Sequence, residues 1–162
     1  MIIGIDPGLD GAITFMDGSK IVHYLDIPTL SDGKRRIVDL LYIKSLIITH
    51  TGKIRESNTL VFDSVKVIIE KAQSMPKNGA TGMFNYGVSY GMLLGLCAGL
   101  GIAVRPVHPA TWKKVMLKDM PKGKESSIIR VRELYPNLLL PRKKDHHVAD
   151  SIVIGLYGSK YV

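Results

Sequence analysis

The chain opens with an apolar run, Met1-Ile2-Ile3-Gly4-Ile5, that stops abruptly at Asp6-Pro7-Gly8. β-Branched isoleucines favour an extended backbone, Pro7 lacks an N–H for a ladder and Gly8 lets the chain turn, so a buried strand ends at Asp6. Two further apolar runs, 11–16 and 21–27, flank Asp17-Gly18, which predicts a hairpin and three consecutive strands. Residues 28–33 break the pattern. From 34 to 50, Ile37, Leu40, Leu41, Ile47 and Ile48 recur at roughly helical spacing and predict the first helix. A short polar stretch, 51–59, leads into Val65-Lys66-Val67-Ile68-Ile69-Glu70, a second β-branched run that ends in an acid.

The stretch 73–82, rich in Gly, Asn, Pro and Lys, reads as a substrate-holding loop directly after that second acid. Residues 83–100 predict a long apolar helix with Gly87, Gly91, Gly95 and Gly99 on one face. An interior glycine costs up to ~1 kcal/mol against alanine, so close packing by a sheet or by a second copy of the helix is expected there. Asn85, Ser89 and the glycines argue against a membrane span. Residues 102–107 predict a fifth strand. The last segment, 145–156, starts at Asp145 as N-cap and continues as a mostly apolar helix, on which His147 and Asp150 share a face.

The 162 residues, 46% of them hydrophobic, suit one domain with a real core. The formal net charge of +8 points to a polyanionic partner, nucleic acid above all. Bases crowd between 105 and 144: Arg105, Lys113, Lys114, Lys118, Lys122, Lys124, Arg130, Arg132, Arg142, Lys143 and Lys144, against Asp119, Glu125 and Glu133. That balance is too one-sided for salt-bridge lacing, so this half of the surface is expected to carry the positive field. Trp112 within it either stacks on bases or anchors a short helix; the core reading is the favoured one. The single cysteine, Cys97, has no mate, which excludes disulfide stapling within the chain and points to a reducing compartment. No basic-then-apolar leader precedes Ile2, so secretion is not expected.

The chemistry concentrates in acids at two strand ends, Asp6 and Glu70, and a His147/Asp150 pair on the first turns of a helix. Taken alone, Asp6 either caps its own Pro-Gly turn or ligates a metal. His147 is either an ordinary helix-start residue or a ligand or proton-transfer group, with His146 the weaker candidate. Gathered carboxylates raise one another's pKa unless a dication neutralises them, and a donor set rich in oxygen suits Mg²⁺ or Mn²⁺ better than zinc. Beside a basic surface, this predicts phosphodiester hydrolysis by two ions about 4 Å apart, one activating water and the other stabilising the leaving oxygen.

Gly4-Ile5-Asp6-Pro7-Gly8, the strand ending at Glu70, and His147-Val148-Ala149-Asp150-Ser151 together resemble the RuvC-type Holliday junction resolvases, over nearly the whole chain. The resemblance implies an α/β, ribonuclease H-like fold, a five-stranded mixed sheet flanked by helices, with 1–162 as a single nuclease domain. It implies Asp6, Glu70, His147 and Asp150 as catalytic metal ligands, His147 falling where family members have Asp or His. Lys113 and Lys124 resemble the family's two functional lysines, which would hold the DNA backbone. Two Mg²⁺ ions per site are implied, replaceable by Mn²⁺, with no small-molecule cofactor. The implied partners are four-way or branched DNA and a second copy of the chain, in DNA recombination and repair, in the cytoplasm. The compact chain is similar to the resolvases carried by bacterial viruses, which would place it in the bacterial host.

Where cellular members have an aromatic that probes the junction centre shortly after the strand-end glutamate, this chain has Gln73, with Met75 and Phe84 further on, so the resemblance implies no particular base-sequence preference. A Gly-Ile-Asp-x-Gly opening also starts sugar-kinase and actin-like ATPases, but those need two such domains and a second phosphate loop. A closer alternative is another ribonuclease H-like nuclease acting on branched DNA, RNA or RNA/DNA hybrid. A non-enzymatic DNA-binding module would leave the ligand candidates unused.

Overall fold

The computed structural model describes residues 1–33, 35–54, 59–62, 64–73 and 79–162. β1 (Ile2–Asp6), β2 (Ala12–Asp17) and β3 (Lys20–Asp26) form an antiparallel meander. A hairpin of β4 (Thr29–Asp32) and β5 (Arg35–Val38) follows, then α1 (Leu40–Thr51) and a small pair, β6 (Lys53–Ile54) and β7 (Leu60–Val61). β8 (Lys66–Glu70), α2 (Ala80–Gly99) and β9 (Ala103–Val107) come next, and α3 (Pro109–Met116), α4 (Ser126–Leu134) and α5 (His146–Tyr161) close the chain. The main sheet runs β3-β2-β1-β8-β9, antiparallel through β3-β2-β1 and parallel through β1-β8-β9. This is the α/β, five-stranded mixed sheet flanked by helices that the resemblance implies, each sheet strand lying within a residue or so of its apolar run.

The expected helix over 34–50 is corrected: it begins only at Leu40. Gly33, with φ +61°, turns β4 back onto β5, and the β-branched pair Ile37-Val38 goes into a strand rather than a helical turn. Asp39 then starts the helix by accepting a 3.0 Å hydrogen bond from the Tyr42 N–H. Residues 29–32, read as a break, are strand. The polar stretch 51–59 also contains structure, since Thr51 ends α1 and 53–54 pair with 60–61; residues 55–58 lie outside the described residues. So do 74–78 of the expected loop 73–82, whose last residues already belong to α2.

The pleat of the sheet decides what each face carries. Ile3 and Ile5 of β1 and Val67 and Ile69 of β8 point to one side, where Ile43 and Ile47 of α1 and Leu93 and Cys97 of α2 cover them. Met16 and Ile68 point to the other, under Trp112 of α3, Val131 of α4 and Val148 and Ile152 of α5. On that second side, α5 lies directly on β1, and glycine is what permits it. A Cβ on Gly4 would sit 2.2 Å from the Ser151 carbonyl oxygen and 2.6 Å from the Gly155 nitrogen. A buried 2.6 Å hydrogen bond between the Thr14 and Ser151 hydroxyls pins the same helix to β2.

One further expectation is corrected in one of its two alternatives, and another outright. Among the described residues no sheet packs on the glycine face of α2, for a Cβ at Gly87, Gly91, Gly95 or Gly99 would meet no atom within 4 Å; the other alternative, a second copy of the helix, lies outside a single chain. The helix turns its bulky side chains, Leu93 and Cys97, to the core and leaves the glycine stripe outside, beside Phe84 and Val88, which are 71% and 41% exposed. Asp145 does not act as an N-cap. Its own backbone is helical and its carboxylate turns back to Arg142, accepting from the backbone N–H at 2.7 Å and from Nε at 2.6 Å. Those bonds close a 3-10 turn, Lys143–Asp145, that runs straight into α5. Among the described residues no helix is long and apolar enough to cross a membrane.

Candidate active site

Strand alternation and register together put two acids side by side. Ile5 of β1 is paired in parallel with Ile69 of β8, so the next residues, Asp6 and Glu70, leave the carboxyl ends of neighbouring strands on the face that α5 covers. Because α5 is seated on β1 at Gly4, its first turn lies over those strand ends. His147 and Asp150, three residues apart, therefore point toward the acids. All four side chains line one cleft of about 840 Å³, which is also lined by Lys113 in the last turn of α3 and by the turn carrying Lys122 and Lys124.

Each acid is held by a donor from a different helix. His147 Nδ1 of α5 is 2.6 Å from Asp6 Oδ2. The Trp112 indole of α3 donates from Nε1 to Glu70 Oε2 at 2.9 Å, and the Ser127 hydroxyl of α4 donates to Asp150 Oδ1. Trp112 is fully buried, as the core reading expects, yet it is also part of the site. The Lys113 ammonium lies 5.0 Å from its ring centroid, within cation–π range. Sequence reasoning missed Ser127 and the indole donor, since nothing in their spacing points at an acid far away in the chain. The only local signal was an aromatic immediately before Lys113. His146 lines the cleft but turns Nδ1 to the Lys143 carbonyl at 3.1 Å, so His147 is the histidine that meets the acids.

Burial and mutual repulsion dominate the electrostatics. Burial pushes the Glu70 carboxyl up to about 7, and the charge of Asp6 adds to the shift, while Lys113 and the indole N–H oppose it. Burial and then Asp6 lift Asp150 to about 6, against the pull of Ser127 and Lys113. The hydrogen bond to Asp6 raises His147 above its ordinary value and outweighs the desolvation that lowers it. Part of the basic segment is neutralised, which corrects the expectation of an unlaced positive surface. Arg142 grips Asp26 with two bonds of 2.9 and 3.0 Å as well as Asp145, Lys144 reaches the same Asp26, and Arg130 pairs with Glu133. Asp26 comes from the end of β3, distant in sequence, and so escapes a local charge count. Lys113, Lys122 and Lys124 are the cations that face the cleft.

The donor set fits a hard divalent cation by its chemistry: carboxylate oxygens with one imidazole, Glu70 and Asp150 kept from full ionisation by burial and by the charge of Asp6. In this conformation no three His, Cys, Asp or Glu side chains among the described residues converge closely enough to form a ready-made cage, since each acid is turned to its protein donor. The fit therefore lies in the ligand types and in their shared cleft.

The fold is matched by T. thermophilus RuvC in complex with a Holliday junction substrate, at TM-score 0.68 and 20% sequence identity, covering 99% of this chain and 93% of that one. The chain has the RuvC fold. A Thermus thermophilus RuvC structure matches at TM-score 0.61 and 19% identity, over 97% of this chain and 94% of the other. No family model and no curated protein matches the sequence. The likeness to RuvC is thus one of architecture, and what the site does rests on its own residues.

Proposed function

We propose that the whole chain, 1–162, is one metal-dependent endodeoxyribonuclease domain that resolves four-way DNA junctions, one strand cut by each subunit of a homodimer. One observation carries this reading: on a RuvC fold, one cleft is lined by Asp6, Glu70, His147 and Asp150 together with Lys113, Lys122 and Lys124. Acids alone repel a phosphodiester and bases alone only bind it; the two together describe a site for breaking it. The RuvC structure that matches over nearly its whole length was solved with a Holliday junction, which is why a branched duplex is the favoured polyanion.

In the proposed reaction Lys113 and Lys124 hold the backbone with the scissile phosphate turned to the acids. Asp6, Glu70, His147 and Asp150 would hold divalent ions, Mg²⁺ or Mn²⁺, two per site. Such ions supply an activated water and stabilisation of charge on the phosphoryl group and leaving oxygen. Asp6 must exchange its contact with His147 for a ligand role, and His147 is then free to ligate or to carry a proton. The buried walls keep Glu70 and Asp150 from bulk water, which strengthens every charge interaction made there.

A junction must be cut in two strands, and one chain supplies one cluster, so a symmetric pair fits the task. The outward face of α2, with its open glycine stripe and exposed Phe84 and Val88, is the surface for a second copy. A DNA-processing enzyme of this kind works in the cytoplasm, that of a bacterial host if the gene is viral. The test is cleavage of a four-way junction against linear duplex, RNA duplex and RNA/DNA hybrid with Mg²⁺. Cutting of the junction in symmetric strands is expected; preferred cutting of hybrid would favour the related RNA-directed nuclease, and binding without any cutting would favour a non-enzymatic module.

A further inference from the structure

Next to the catalytic cleft, with His147 as a shared wall, lies a smaller hollow of about 300 Å³ between the strand-end loop 7–11 and the first turns of α2. We propose that this hollow is a subsite for one nucleobase of the nucleotide next to the scissile phosphate, stacked against Tyr86. The inference rests on the reading of the chain as a junction nuclease and names what that nuclease grips beyond the backbone.

Charge separates the two cavities. The cleft offers three lysines, whereas no lysine or arginine lines the hollow, whose polar members are Asp10, Asn85, Tyr86 and His147. Arg36, at its edge, is spent on Asp10 at 2.7 Å. The hollow thus lacks the lysines that the cleft offers a phosphate, which suits it to a neutral, flat group with hydrogen-bonding edges. The volume lies at the low end of the roughly 300–1,000 Å³ usual for ligand sites, so it admits a single base and not a base pair.

The walls match such a group. Gly8 has φ +128°, a backbone that L side chains rarely adopt, and its missing side chain leaves the Tyr86 ring carbons 3.4 Å from where a Cβ would be. The ring thus stands against the loop that carries Asp6, and it is held there without its hydroxyl, which has no hydrogen-bond partner among the described residues. Burial and the nearby charges of Asp6 and Glu70 keep the phenol in its neutral, donating form. The Asn85 amide supplies both a donor and an acceptor at the rim. Because His147 borders both cavities, a nucleotide with its phosphate in the cleft has a base within reach of the hollow. Drawing a base out of its stack is least costly where pairing is already interrupted, as at a branch point, and stacking on an aromatic ring offsets it.

The experiment is an abasic scan. Junctions carrying one abasic residue at successive positions around the cut are bound by the full chain in EDTA, and affinity is read by fluorescence anisotropy. Wild type is expected to lose affinity about tenfold at one position only, the size of a lost base–aromatic stack. Tyr86→Leu should be indifferent to that position and Tyr86→Phe should respond like wild type. Gly82→Leu provides an arm that leaves the core alone: Gly82 lines the hollow and a Cβ there meets nothing within 4 Å, so the added side chain should block the hollow and also abolish the response. A junction bound by wild type with a flat scan overturns the subsite alone, as does a Gly82→Leu protein that responds like wild type. Failure of wild type to bind any junction removes the nuclease reading and the subsite with it.

Discussion

Replacing Trp112 by Phe separates the two things that this residue does. The phenyl ring keeps most of the apolar volume and a face toward Lys113, but it lacks the N–H that donates to Glu70 at 2.9 Å. A hydrogen bond to a charged acceptor is worth ~1.5–3 kcal/mol net, and 1.36 kcal/mol is a factor of ten, so the loss amounts to roughly ten- to a hundredfold in any equilibrium that needs Glu70 ionised and oriented. Removing the outer partner of a metal-binding side chain has an effect of the same order on metal affinity, roughly 10–100-fold. The assay is calorimetric titration of Mn²⁺ into DNA-free protein, with thermal melting alongside to read the packing loss from a smaller ring in a fully buried position. Mn²⁺ affinity should fall by one to two decades, with junction affinity in EDTA unchanged. A folded Trp112→Phe protein that binds Mn²⁺ within twofold of wild type would refute the claim that the indole orients Glu70.

Asp6→Asn should abolish cleavage and leave junction binding intact, as gel shift in EDTA would show, because the shape remains and the ligand charge is lost. His147→Asp should retain Mg²⁺-dependent cutting and His147→Ala should lose it; equal activity in both and in wild type would return His147 to a helix-start residue. Lys113→Ala and Lys124→Ala should each weaken binding to every junction sequence alike and flatten the slope of log affinity against log salt by roughly one unit. The folded pKa values of Glu70 and Asp150, about 7 and about 6, lie above their ordinary values of 4.5 and 3.8. The stability these groups add is therefore complete below pH 4 or so and is lost as pH rises through 6–7, so the melting point without metal should fall between pH 5.5 and pH 8 and the gain from added Mg²⁺ should be larger at pH 8. Gly91→Leu should leave the fold intact, since a Cβ there meets nothing, and should weaken a dimer by ~1–3 kcal/mol through overpacking; a monomer by light scattering in wild type would remove the dimer.

The sheet was legible because its strands are nearly continuous β-branched runs, and the end of each central strand is marked by an acid followed by a break, as at Asp6-Pro7-Gly8. Those marks placed Asp6 and Glu70 at strand ends, and the three-residue spacing placed His147 and Asp150 on one helix face. What local patterns left out was decided by contacts across the chain. Ile37 and Val38 fit a helical period as well as a strand, and a left-handed Gly33 with the Asp39 cap settles the choice. Asp145 has the chemistry of a cap, but Arg142, itself anchored on Asp26 from β3, draws it away. The glycine stripe of α2 signals close approach only to a partner other than the described residues of this chain, since none of them lies within 4 Å of a Cβ there.

The arrangement also explains how the fold tolerates a cluster of acids in one cleft. Asp6, Glu70 and Asp150 share one cleft, and clustered like charges work against the folded state. Here the cost is met in two ways: each acid has a donor from a different helix, and two of them stay partly protonated near neutral pH. His147, Trp112 and Ser127 belong to α5, α3 and α4, the three helices packed on one face of the sheet, so the core beneath them fixes where all three donors stand. A divalent ion held by these carboxylates would supply the positive charge that relieves their repulsion and favours their ionised forms. The same desolvation that makes the clustered acids unfavourable would strengthen their hold on an ion, and the packing of three helices around the buried Trp112 and Ile152 fixes where the donors to those acids stand.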